Sequence, residues 1–94
     1  MITWDISEGS YRASARTLFA KLWIEPDMAR TYSVDHVVYE AWVGDLNLNT
    51  LAHQGNLSSM DAAMAWCHQT YRALLGRELA ELTGQYEITH GPVI

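Results

Sequence analysis

Between Ser58 and Leu82 the chain reads SSMDAAMAWCHQTYRALLGRELAEL, and Met60, Ala63, Cys67, Tyr71 and Leu74 recur in it at steps of three and four residues. That spacing puts all five on one face of an α-helix. Ser58 or Ser59 can cap the first turn, and Asp61 complements its free N–H groups and the positive end of the helix dipole. Arg72 and Arg77 fall in the second half, where cations suit the dipole, and Gly84 can close the helix. A helix with one apolar face needs a surface to bury it against. The residues before Ser58 must supply that surface.

They read mostly as short strands. Ile2–Ser7 alternates, with Ile2, Trp4 and Ile6 on one side and Thr3, Asp5 and Ser7 on the other, which predicts a half-buried strand followed by a turn at Glu8-Gly9-Ser10. Tyr11–Ile24 admits two readings. As a helix it carries a stripe of Tyr11, Ala15, Leu18, Phe19, Leu22 and Trp23, favoured by local propensity. As two strands, Tyr11, Ala13 and Ala15 alternate with Arg12, Ser14 and Arg16, a turn follows near Arg16-Thr17, and Leu18–Ile24 runs into Glu-Pro-Asp, where proline disfavours helical geometry. Tyr32–Val43 is rich in β-branched and aromatic residues and predicts a strand, with Val37, Tyr39, Ala41 and Val43 facing the helix and Val38, Glu40 and Trp42 facing away. Gly44–Asn47 is a turn, Leu48–Leu57 a further strand, and Tyr86–Thr89 a short edge strand beyond the helix.

Composition narrows the function. Ninety-four residues make one domain, 1–94, and nearly half of them are apolar, enough for a core. No apolar run reaches the length of a membrane span, the N-terminus lacks a signal-peptide pattern, and the single cysteine suits a reducing compartment, so the cytoplasm is the expected location. Six Lys and Arg against eleven Asp and Glu give a net charge of −5. The cations Arg12, Arg16, Lys21, Arg30, Arg72 and Arg77 are spread along the sequence, which argues against direct nucleic-acid binding.

The residues that could carry chemistry lack the required spacing. His36, His53, His68 and His90 stand far apart with no HxH or HxxxH pair, so no metal site and no cofactor are expected. Cys67 is mid-helix on the apolar face, whereas a reactive thiolate needs an exposed electropositive setting. It reads as a core residue. The glycines are isolated, and no phosphate loop is present. Two or three of Trp4, Trp23, Trp42 and Trp66 are expected to build the core. Trp66 lies beside the helix stripe and, with Tyr71, is a candidate anchor for a partner. Gly76 interrupts the helix, and beyond it Leu79, Ala80 and Leu82, beside Glu78 and Glu81, renew an apolar stripe with little left to cover, so the second half either bends at Gly76 or protrudes to bury its leucines against another chain. Trp66, Tyr71, Glu78, Leu79, Glu81 and Leu82 are therefore the candidate partner-binding residues, with no catalytic residue predicted.

Trp4, SYRASA (Ser10–Ala15), TLFAKLWI (Thr17–Ile24), YEAWV (Tyr39–Val43) and the helix opening SSMDAAMAWC (Ser58–Cys67) follow one another in an order that resembles small phage and prophage accessory proteins built as an antiparallel meander plus one helix. Some of those are anti-CRISPR-type inhibitors of bacterial defence complexes. The resemblance is one of pattern over most of residues 2–75 and carries over no binding residue. It favours two strands for Tyr11–Ile24. The expected fold is α+β: an antiparallel sheet of four or five short strands packed by one long C-terminal helix, with β-α-β-β-α as the alternative. The expected function is a non-enzymatic protein-protein interaction module, an inhibitor that occupies a basic nucleic-acid-binding complex. The alternatives are a self-associating assembly protein, as a homodimer, and a small metal-binding protein or enzyme.

Overall fold

The computed structural model describes residues 2–7, 9, 11–31, 33 and 35–90, with side chains as far as residue 78. Five strands and one helix follow in order: β1 (Asp5–Ile6), β2 (Ala13–Arg16), β3 (Lys21–Pro26), β4 (Tyr39–Gly44), β5 (Thr50–Leu57) and α1 (Met60–His90). The strands form one antiparallel sheet in the order β1-β2-β3-β4-β5, a meander, with α1 across one face against β3, β4 and β5. This is the expected α+β arrangement, and Tyr11–Ile24 contributes two strands.

The β2–β3 connection shows why. Thr17 Oγ1 accepts hydrogen bonds from the backbone N–H groups of Phe19 (3.1 Å) and Ala20 (3.0 Å), and the Thr17 N–H donates to the Ala20 carbonyl (2.9 Å). A hydroxyl that satisfies the turn's own donors competes directly with continued helix. The register Ala13↔Ile24, Ala15↔Leu22 then places the small residues of β2 and the branched residues of β3 on the same side.

That side is the core. Ala13, Ala15, Leu22, Ile24, Tyr39, Ala41 and Val43 from the sheet are buried with Ala63 and Cys67 from α1, and Met60, Met64, Trp66, Tyr71 and Leu74 pack around them. Of the ten buried apolar residues described, six are Ala or Cys, which lets the helix backbone come close to the strands. Ser59 is the N-cap: its Oγ accepts from the Ala62 N–H at 3.0 Å and its carbonyl from the Ala63 N–H at 3.0 Å.

Three expectations are corrected. Tyr86–Thr89 is not an edge strand, because α1 continues through Gly84 to His90. A helix-interior glycine costs only about 1 kcal/mol relative to alanine and does not by itself end a helix. The strand expected over Tyr32–Val43 begins at Tyr39. Ahead of it, the Asp27 N–H bonds the Val38 carbonyl at 2.7 Å and the Val38 N–H bonds Thr31 Oγ1 at 3.2 Å, so this stretch spends its hydrogen bonds on a closed loop. Tyr32 and Val34 lie outside the described residues. The strand at Ile2–Ser7 shrinks to Asp5–Ile6, with Ile6 48% exposed. Trp4 instead turns to the helix, where its Nε1–H donates to His68 Nε2 at 2.8 Å. Two of the four tryptophans, Trp4 and Trp66, pack against the core as expected, though neither is fully buried, and Trp23 and Trp42 are on the other face.

Both sheet edges are poor templates for a further strand. β1 is two residues long. β5 pairs with β4 through two register shifts, at Tyr39/Ala41 and Val43/Gly44, and Asn56 within it is left-handed at φ 57°. Bulges of this kind twist an edge away from new pairing. The sheet's free surface is therefore its face.

Candidate functional site

The face opposite α1 carries one continuous row of side chains. Cross-strand pairing brings Asp5, Ser14, Trp23, Trp42 and His53 into line, one from each strand. Trp23 and Trp42 stack with centroids 5.7 Å apart and planes 11° from parallel, and His53 closes on Trp42 at 5.1 Å. Paired aromatic rings across strands contribute about 0.5–1.5 kcal/mol beyond their area. Both indoles remain half-exposed.

Gly44 makes the stack possible. A Cβ at this position would lie 3.0 Å from Cζ3 and Cη2 of Trp23 and 3.0 Å from the Asn49 carbonyl oxygen. The absent side chain gives the Trp23 indole its place. Beside it, Asp45 organises the β4–β5 turn, accepting through Oδ1 from the Asn47 and Asn49 N–H groups (both 2.9 Å) and through Oδ2 from Asn49 Nδ2 (3.0 Å). These bonds, led by the Asn49 side chain, hold the Asp45 carboxyl below its usual range.

Charge of both signs surrounds the row. His53 Nε2 is 3.3 Å from Glu40 Oε1. An open groove of about 430 Å³ beside Trp23 is lined by Asp5, Arg12, Lys21 and Glu25 among others. Of the six cations, Arg16 and Lys21 belong to the β2–β3 hairpin and Arg12 immediately precedes it, so a group scattered in sequence is partly gathered by the fold. Asp5, Glu25 and Glu40 offset them on the same face.

The candidates from sequence fall elsewhere. Trp66 and Tyr71 pack partly against the core, and Glu78 is exposed. Cys67 faces the sheet and His68, about 100° round the helix, meets Trp4 on the β1 side, so Trp66 lies on the opposite flank. Leu79, Glu81 and Leu82 belong to α1, with side chains outside the described residues. Cys67 is fully buried, and burial pushes its thiol up to about 12, far from a nucleophile's range. Among the described residues, no three His, Cys, Asp or Glu are placed to hold a metal ion, and no helix is long and apolar enough to cross a membrane.

The row across the open face was missed by sequence reasoning. Its signal was present as a pair of tryptophans each on an outward strand position, but strand alternation alone does not say which two outward residues become neighbours. Comparison with family models, with curated proteins and with solved structures finds no match for this chain. The fold and the face together define the class: a meander sheet with one covered side and one aromatic, mixed-charge open side.

Proposed function

We propose that the protein is a non-enzymatic protein-binding module that engages its partner through the open face of the sheet. The observation that carries this reading is the Trp23–Trp42–His53 row, half-exposed on a face that no described element covers. Tryptophans at the centre of a surface with polar and charged residues around them have the composition of an interface hot spot and its rim. Arg12 and Lys21 beside Asp5, Glu25 and Glu40 give that rim both signs of charge, which sets orientation and partner choice more than raw affinity.

The narrower reading within this class is an inhibitor that occupies a basic site on a bacterial defence complex, as anti-CRISPR-type proteins do. Its support is the meander-plus-helix pattern and the net charge of −5, which steers the protein towards a basic target. The test is affinity capture from a bacterial lysate with the wild type, Trp42→Ser and Glu40→Lys. Retention of a basic multi-subunit complex by the wild type, lost in both folded variants, is the expected outcome. Equal capture by all three would refute the assignment of the open face.

A further inference from the structure

Away from the open face, the end of the molecule from which α1 projects carries an unusual exposed apolar pair. Leu18 and Phe19, at the tip of the β2–β3 hairpin, are 83% and 65% exposed, although they stand next to each other in a chain that buries alanines. The Thr17 turn fixes them there. With Ile2, Arg16, Thr17 and Tyr71 they line an open groove of about 590 Å³ between hairpin and helix.

Beyond that groove α1 leaves the sheet. Leu74 and Leu75 are half-buried, whereas Gly76, Arg77 and Glu78 are exposed. The molecule measures 64 × 21 × 20 Å, against a longest strand of about 27 Å at the usual rise per residue, so the helix runs well past the strands. From Gly76 to His90 it adds about 22 Å. A helical segment of that length is marginal in water without a surface to pack on.

The two regions are complementary in charge. At the hairpin tip Arg16 lines the groove and Lys21 pairs with it across the strands, with no carboxylate in residues 9–24, whereas residues 78–90 contain Glu78, Glu81 and Glu87 and no lysine or arginine. Leu79 and Leu82 stand among those glutamates in the sequence as Leu18 and Phe19 stand between Arg16 and Lys21. Within one chain the helix leads away from its own hairpin, so the match can be made only between chains.

We propose that the occupant of the hairpin groove is the 78–90 helical segment of a second copy, each copy giving its helix to the other's hairpin in a closed two-fold dimer. The two contacts are then equivalent, and the assembly stops at two. It is separable from the open-face reading: Leu18, Phe19 and the 78–90 segment lie at the end of the hairpin and helix, Lys21 alone is shared with the rim of the open face, and the readout is molar mass rather than partner capture.

Charge exchange tests it on the full-length chain. One variant carries Arg16→Glu and Lys21→Glu, the other Glu78→Arg and Glu81→Arg, and molar mass is read by light scattering behind size exclusion. In either variant alone both contacts become repulsive, whereas in a mixed dimer both are attractive again. The wild type is expected to be a dimer, each variant a monomer, and their equimolar mixture a dimer. Phe19→Asp should likewise give a folded monomer, since Phe19 is exposed in the single chain. A wild type monomeric at millimolar concentration would overturn the proposal, and so would a mixture that stays monomeric. A dimer that survives both charge variants and Phe19→Asp would overturn it too. Loss of partner capture in Trp42→Ser leaves this result unmoved, which keeps the two proposals separable.

Discussion

The two faces of the sheet use residue size in opposite ways. Under α1 the strands present Ala13, Ala15, Leu22, Ile24, Ala41 and Val43, a smooth surface that admits a helix at close range. On the other side the same strands present Trp23, Trp42 and His53 with Glu40 and Lys21 between and beside them. A chain that needed bulk only for its core would have placed the tryptophans inward. Here burial is done mostly by small and branched residues, with Tyr39 among them, while Trp23 and Trp42 are kept on the open face.

The comparison can be broken first on the covered side. Leu22 is fully buried, so Leu22→Ala should lower stability by about 2–5 kcal/mol in urea unfolding. A loss below about 1 kcal/mol would show that this face is not a packed core. On the open side, Gly44→Ala forces its methyl against Trp23 and the Asn49 carbonyl. The expected cost is about 1–3 kcal/mol. The exciton-coupled circular-dichroism signal of the Trp23–Trp42 stack should fall with it, and an unchanged signal would separate Gly44 from the stack.

Titration gives a smaller effect. Burial raises the Cys67 thiol from 9.0 to about 12 and also raises Tyr39. The unfolded chain therefore releases these protons first. The stability present below pH 9 should be lost progressively as pH rises towards 12, less steeply in Cys67→Ala. A pH-independent urea midpoint across that window would contradict the buried position of both groups. The smallest effect lies where α1 has left the sheet. A Cβ at Gly76 meets nothing within 4 Å, so Gly76→Ala should raise stability by about 0.5–1 kcal/mol, read as a higher melting temperature. Destabilisation there would mean that the position needs a glycine.

The sequence carried the covered side better than the open one. The 3.6-residue stripe from Met60 to Leu74 and the alternation Tyr39, Ala41, Val43 each have one buried side, and periodicity reports burial directly. The open side depends on register. Trp23 and Trp42 become neighbours only because β3 and β4 pair 24 with 41 and 22 with 43, and Gly44 matters only once Trp23 reaches across to it. Neither fact is a property of a single strand. Local chemistry also overrode propensity, as where Asp27 and Thr31 closed a loop through a β-rich stretch. Gly84 resembles a helix end in sequence, yet α1 continues through it, because a single glycine weakens a helix without stopping it.

The division of labour between the two faces has one direct measurement. Trp42→Ser removes the central ring of the open row and nothing from the buried core, so its unfolding curve and its capture of a lysate partner should part company. A variant that still unfolds cooperatively, yet no longer retains the complex held by the wild type, is the predicted result. Full retention of that complex by a folded Trp42→Ser protein would contradict the account.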